Sequence, residues 1–299
     1  MLKSGLILVN KGAGMSSHDV VNRLRRILET RKVGHCGTLD EMATGVLPVC
    51  FGRATRACDY AQSADKTYRA SLRFGMTSTT QDIWGEITET GGPKVTLEAL
   101  EKVLPSFMGP QDQLPPMVSA LKQNGVRLYA LAREGIEVHR EPRRITILKL
   151  ELIAFSEEKQ EAEILVDCTK GTYIRTLCHD IGAALGCGAV MSSLCRERNG
   201  YYPISDCLTI EELWAHKDAG TLESCIRPVD SIFHSYPSYT LSVKEEEDMR
   251  VGRVFSTELS DGNYRAYSES DEFIGFCQVE DGVFHLVKGF YETKGGDAD

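Results

Sequence analysis

No stretch of this chain approaches the ~18 uninterrupted apolar residues of a membrane-crossing helix, which excludes a helical span. The opening Met1-Leu2-Lys3-Ser4-Gly5 runs straight into the strand-like Leu6-Ile7-Leu8-Val9. That apolar region is too short for a secretory signal and lacks a small-residue cleavage pattern, so a soluble, unexported, cytoplasmic protein is expected. There is no Cys-x-x-Cys and no zinc-ligand spacing among the ten cysteines. A chain of 299 residues builds a core without covalent staples, so reduced, mostly buried thiols and no metal are expected. The Gly12-x-Gly14 turn lacks the third glycine of a dinucleotide fingerprint, and no Gly-Lys-Ser/Thr follows it to make a P-loop. Internal repeats and low-complexity segments are also missing. What remains is ordinary globular composition, 42% hydrophobic and 26% charged, which excludes collagen-like and disordered classes.

The net charge of −9 speaks against a polyanionic partner only until it is divided along the chain. Residues 1–73 carry twelve Lys/Arg against six Asp/Glu, and residues 120–150 carry seven against three. Residues 240–299 carry six against fourteen. Acid is therefore concentrated at the C-terminal end, and the front half has the surplus of cations that a phosphate backbone requires. Ordinary solvated charge is the bland alternative.

Strands are expected at Leu6–Val9, Val46–Phe51, Tyr68–Phe74, Ile145–Ala154 and Ile164–Cys168, with Pro48 implying a sheet edge or a bulge. A helix should start at Ser16 or Ser17 and bury Val20, Val21, Leu24, Ile27 and Leu28. Others should span Leu97–Phe107 and Thr172–Leu185, the second closed by Gly186. Thr209 with Glu212, and Ser242 with Glu245, fit capping boxes. Beyond Pro237 the texture becomes a short helix, Val243–Val251, and short strands at Tyr264–Tyr267, Phe273–Val279 and Val283–Val287. Glu280-Asp281-Gly282 forms the last hairpin turn. Strands and helices mix without a βαβ rhythm, so an α+β class is expected. A main domain over 1–235 is followed by a small, mostly β domain over 236–299.

Three polar segments are unusual. Asp40 lies in Gly34-His35-Cys36-Gly37-Thr38-Leu39-Asp40-Glu41-Met42-Ala43-Thr44-Gly45, a loop whose glycines allow a ligand close to the backbone and which abuts an apolar strand. A carboxylate there can be a nucleophile or a base; an Asp in a Gly-rich loop is also an ordinary turn former. Arg175 lies off the apolar stripe of Ile174, Cys178, Ile181 and Leu185, near a helix start, and offers planar donors to a carboxylate or phosphate. A surface salt bridge is the plainer reading. Tyr68, between Lys66 and Arg69, suits a base-stacking platform beside phosphate contacts, or simply fills the core.

Taken in order, these segments resemble the tRNA pseudouridine synthase B family. The likeness runs through Gly34-His35-Cys36-Gly37-Thr38-Leu39-Asp40-x-x-Ala43-Thr44-Gly45-Val46-Leu47-Pro48, Asp65-Lys66-x-Tyr68-x-Ala70 and Thr80-x-Asp82-x-x-Gly85. It continues through Pro115-Pro116-x-x-Ser119-Ala120-x-Lys122, Leu128-Tyr129-x-x-Ala132-Arg133, Lys170 to Leu177 and Leu185-Gly186-x-Gly188-Ala189. Residues 5–200 are covered, with a weaker match beyond.

The resemblance implies a pseudouridine-synthase catalytic domain, α+β with a mixed, mainly antiparallel sheet, followed by a PUA-like module. It implies that uridine 55 in the T stem-loop of tRNA is isomerised after its base is flipped out. It places the catalytic aspartate on Asp40 and, opposite it, the arginine that favours its charged form on Arg175. It also places a stacking tyrosine on Tyr68, a second tyrosine on Tyr173, a leucine supporting the base on Leu194, a histidine entering the T loop on His35 and a nearby lysine on Lys11. No cofactor, metal or guide RNA is implied, and a monomer is expected. Glu41 and Gly12 replace usual prolines, and Cys195 stands where an arginine is common; Glu41 is expected to face solvent. Competing readings are a guide-RNA-dependent relative, which the acidic C-terminus and lack of a Lys-rich tail oppose, and an RNA-binding factor with an idle pocket. A two-carboxylate glycosidase fails because no motif places a second acid.

Overall fold

Strict alternation in Glu161–Cys168 puts Ala162, Ile164, Val166 and Cys168 on one buried face, the period-2 signature of a strand lying on a core. In the computed structural model, which describes residues 4–119, 121–123 and 125–291, this strand belongs to a nine-stranded sheet. The sheet's main path is Gly5–Lys11, Thr44–Phe51, Ala189–Asn199, Lys66–Phe74, Glu161–Cys168, Arg143–Ser156 and Gly109–Gln113. Val33–His35 lies beside Thr44–Phe51, and Tyr202–Pro203 beside Ala189–Asn199. Its pairings among the described residues are antiparallel except where Cys195 and Arg196 run parallel to Thr44 and Gly45. The mixed, mainly antiparallel α+β class is thus what the chain adopts.

Met1–Lys3, Ala120, Asn124 and residues 292–299 lie outside the described residues, as do the side chains of the motif residues Lys122, Tyr129 and Arg133. Among the described residues no helix is long and apolar enough to cross a membrane.

Ser16 and Asp19 form a capping box at the head of the helix Ser17–Leu28, which buries Val20, Val21, Leu24, Ile27 and Leu28 against the sheet. Each such burial stabilises by roughly 1.5–3 kcal/mol. The helix Ile174–Ala184 lies so close to Ala189–Asn199 that a Cβ on Gly182 would meet the Ala189 nitrogen at 2.1 Å. Only glycine permits that approach.

Three expectations need correction. The α-helix from Leu97 ends at Val103 and tightens to a 3-10 turn over Leu104–Phe107, because Pro105 has no N–H to continue the ladder. Pro48 sits on an interior strand, opposite Leu8. Its carbonyl accepts from Cys36 N on the other side, so its ring nitrogen points where Thr44–Phe51 changes neighbour from Val33–His35 to Ala189–Asn199, and no ladder bond is lost. Finally, the strand Ala189–Asn199 is an element the sequence pattern does not predict.

The C-terminal part forms a five-stranded sheet in the order Ser238–Thr240, Gly262–Tyr267, Phe273–Glu280, Val283–Gly289, Phe255–Ser256. Asp281 and Gly282 both have positive φ, 52° and 71°, as a two-residue hairpin turn demands. The capping boxes at Thr209 and Ser242 are both present. Aromatic packing docks this sheet on the main domain: Phe233 stacks on Phe276 at 4.7 Å, and Tyr60 meets both edge-on.

Candidate active site

The loop carrying Asp40 is irregular backbone, and such backbone holds one shape only if its polar groups are tied down. Three side chains do this. Ser17, at the helix start, accepts from Leu39 N at 2.9 Å and donates to Leu39 O at 3.1 Å. Lys11 donates to the Glu41 carbonyl at 3.1 Å and to those of Met15 and Gly12 at 2.7 and 3.0 Å. Arg196, 1% exposed, donates from Nε to Val46 O at 2.7 Å and from Nη2 to Gly37 O at 3.2 Å, joining the two ends of the loop. Gly45, at φ +100°, has no room for a Cβ, which would lie 2.2 Å from the Arg196 carbonyl oxygen.

The Asp40 side chain itself is held by Arg175. This arginine lies off the apolar stripe as expected, yet it is not on the surface: it is 4% exposed. Its Nε faces Asp40 Oδ2 at 3.1 Å, and its Nη1 faces Asp82 Oδ2 at 3.3 Å. It also donates to the carbonyls of Thr80 at 3.2 Å and Val118 at 2.9 Å. Asp82 is in turn held by the Thr80 hydroxyl at 2.6 Å and the Trp84 N–H at 3.0 Å. The guanidinium is thus fixed from behind, and only one of its two carboxylates, Asp40, reaches the open side. The Asp40 side chain is 40% exposed and that of Asp82 7%.

Asp40 opens into a cleft of about 810 Å³. Tyr68, Tyr173, Arg175 and Leu194 share its wall, so five of the seven expected site residues come together. Six cations line it, Lys66, Arg143, Arg144, Lys170, Arg175 and Arg196, against two acids, Asp40 and Asp59. That sign of charge suits a phosphate-bearing ligand. Tyr68 and Leu194 are each 8% exposed and stand on the adjacent strands Lys66–Phe74 and Ala189–Asn199. Burial pushes both the Tyr68 and the Tyr173 phenols up, so both are neutral hydrogen-bonding groups. Burial pulls the Lys66 ammonium down to about 8. Buried Gln113 grips the Tyr173 backbone from both sides, donating to its carbonyl at 3.0 Å and accepting from its N–H at 2.8 Å.

Two expected residues lie off this wall. Lys11 is fully buried and its three donors are spent on carbonyls, so it supports the loop from beneath; burial lowers its ammonium to about 8. His35 is half-buried at the end of Val33–His35, outside the cleft lining. Burial lowers its imidazole pKa, and its Nδ1 has no partner. Glu41 is exposed, as its charge requires. Sequence reasoning gave no role to Asp82, Arg196 or Gln113. The only signal for the first was its place in the Thr80-x-Asp82-x-x-Gly85 segment.

Residues 25–174 match the family model described as TruB family pseudouridylate synthase (N terminal domain), and residues 175–234 match the tRNA pseudouridylate synthase B C-terminal domain. A protein named tRNA pseudouridine synthase B from Clostridium perfringens (strain 13 / Type A) is 42% identical over 293 residues, 95% of this chain and 98% of its own. One of the same name from Syntrophotalea carbinolica is 46% identical over 252 residues, 83% of this chain and 80% of its own. Among solved structures, the crystal structure of a Cbf5-Nop10-Gar1 complex has a chain superposing with a TM-score of 0.71 at 25% identity, covering 92% of this chain and 78% of that one. The class is that of the RNA pseudouridine synthases. Within it, the chain belongs to the TruB family of pseudouridylate synthases.

Proposed function

We propose that this chain isomerises uridine 55 to pseudouridine in the T stem-loop of tRNA, as a monomer and without a guide RNA. One observation carries the reading: Asp40, paired to buried Arg175 at 3.1 Å, opens into a cleft whose wall also holds Tyr68, Tyr173 and Leu194. Those residues are the ones the family resemblance singles out. The names of the full-length relatives support a tRNA substrate.

The reaction breaks the C1′–N1 bond, turns the base and forms C1′–C5; N1 gains a proton and C5 loses one. No electrons enter or leave. Asp40 acts on the sugar or the base as nucleophile or base, and Arg175, 3.1 Å away, holds it aimed. The target base must first leave its stack, at a cost of a few kcal/mol. Stacking on Tyr68 offsets ~1–3 kcal/mol of that, and Leu194 adds apolar contact. The exposed cations Arg143, Arg144 and Lys170 hold the phosphates, and His35 enters the T loop in place of the departed base. Lys11 acts from beneath, by fixing the Glu41 carbonyl.

The test is purified protein on an unmodified T-arm transcript with no other component, read by mapping pseudouridine at single-nucleotide resolution. Asp40→Asn should abolish product yet bind RNA within about tenfold, ~1.4 kcal/mol. Product only in the presence of a guide RNA, or near wild-type turnover by Asp40→Asn, would sink the reading.

A further inference from the structure

The structure brings together three cysteines whose spacing gave no hint of a cluster. Cys36 follows the strand Val33–His35, Cys50 belongs to Thr44–Phe51, and Cys58 opens the helix Cys58–Ser63. Their Sγ atoms all lie within 4.8 Å of one another, and those of Cys36 and Cys50 are 3.4 Å apart. Cys36 and Cys50 are buried while Cys58 is partly exposed, so the cluster has one approach from solvent. No histidine or carboxylate among the described residues joins it at that spacing. We propose that Cys36, Cys50 and Cys58 bind one thiophilic d10 metal ion of the Zn²⁺ class, whose fourth position is filled from solvent on the Cys58 side.

The geometry suits such an ion. A Zn–S length of ~2.3 Å puts tetrahedral sulfurs roughly 3.8 Å apart, between the observed 3.4 Å and the 4.8 Å bound. Seating the ion needs only small side-chain shifts. An all-sulfur donor set favours zinc-like and softer ions over magnesium or calcium. Three apolar side chains of similar size would fill this corner of the core equally well, but they would not gather three sulfurs within 4.8 Å of one another, one of them on a partly exposed residue.

The position gives the site a consequence. Cys36 immediately precedes Gly37, whose carbonyl is one of the two that Arg196 holds. Asp59, Gln62 and Ser63 of the Cys58 helix line the RNA cleft. A bound ion ties the root of the catalytic loop to that wall without touching Asp40.

The experiment uses the reduced, chelator-treated full-length protein under nitrogen, titrated with Cd²⁺ while the ultraviolet thiolate-to-cadmium charge-transfer band is followed. We expect saturation at one Cd²⁺ per chain and reversal by Zn²⁺. Cys50→Ser and Cys58→Ser should each weaken binding at least about tenfold, while Cys207→Ser behaves as wild type. Because Cys50→Ser disturbs the core, a second readout needs no variant: Zn²⁺ should slow alkylation of Cys58, mapped by mass spectrometry. A missing band at one equivalent, an undiminished band in Cys58→Ser, or alkylation of Cys58 indifferent to Zn²⁺ would each overturn the proposal.

Discussion

Asp82→Asn separates the charge that positions the Asp40–Arg175 pair, the proposed catalytic pair, from the shape that surrounds it. Asparagine keeps the volume and one oxygen, so the contacts from the Thr80 hydroxyl at 2.6 Å and the Trp84 N–H at 3.0 Å survive. The other oxygen, 3.3 Å from Arg175 Nη1, becomes an amide nitrogen that sets donor against donor. Removing one member of a buried ion pair typically costs 3–5 kcal/mol, because the partner charge is left unpaired. Here Arg175 keeps Asp40 and the carbonyls of Thr80 and Val118. The loss should therefore be smaller, about 2–3 kcal/mol by comparison with that range. The guanidinium then leans away from its seat, and Asp40 loses its fixed aim. If most of the loss appears in the transition state, the rate falls ~30- to 150-fold at 1.36 kcal/mol per decade. Single-turnover pseudouridine formation on a T-arm transcript reads the chemistry, fluorescence anisotropy reads RNA affinity, and a thermal melt reads the fold. The expected pattern is a slow chemical step, affinity unchanged within a few fold, and a modestly lower melting midpoint. A wild-type rate would refute the argument that Arg175 needs its rear anchor. A rate loss matched by an equal loss of affinity would place Asp82 on the RNA instead.

Gly45→Ala should cost several kcal/mol or block folding, since its Cβ would lie 2.2 Å from a carbonyl oxygen at φ +100°; a melting midpoint within a degree or two of wild type would show that the two strands can part. Alkaline pH should destabilise the fold through Cys168, Cys178 and Cys277, whose thiols burial pushes up to about 12. The folded state keeps protons that the unfolded chain releases from pH ~9, so stability is full below that value and lost as pH rises toward 12. Each thiol removes ~1.4 kcal/mol per pH unit in that window. Melting midpoints that stay level across it would mean that these thiols are reachable by solvent.

The elements that follow local rules were legible. The helix at Ser17 announces itself by a capping serine and a 3.6-residue apolar stripe, and the final hairpin by Asp281-Gly282. The strand Ala189–Asn199 was not, although it lies near the middle of the sheet. Its second half, Leu194-Cys195-Arg196-Glu197-Arg198-Asn199, reads as polar surface, yet Arg196 and Asn199 are each 1% exposed. They are buried because the loop around Asp40 offers them carbonyls, Val46 and Gly37 to the arginine and Cys36 to the asparagine at 3.5 Å. Their acceptors lie about 150 residues or more away in the chain. No local pattern shows that. Asp82 stands in a recognisable motif, yet its partner is hidden for the same reason: the cation it holds is 93 positions distant.

Under the role proposed for Asp40, the unequal burial of the pair explains how one carboxylate suffices. A buried guanidinium with a single acid opposite could swing to follow it, and the two would drift together. Arg175 cannot, because Asp82 and two carbonyls hold it from the side away from the cleft. Its side chain is 5% exposed and that of Asp40 is 40% exposed. The fixed partner is therefore the cation, and the group left open to the cleft is the anion. Arg196, Ser17 and Lys11 apply the same logic to the backbone, anchoring Gly37, Leu39, Glu41 and Val46 around Asp40. Such preorganisation lets a carboxylate react without first reordering its surroundings. It also accounts for the burial of Arg196 and Lys11, two long cations whose donors go to the carbonyls of this loop.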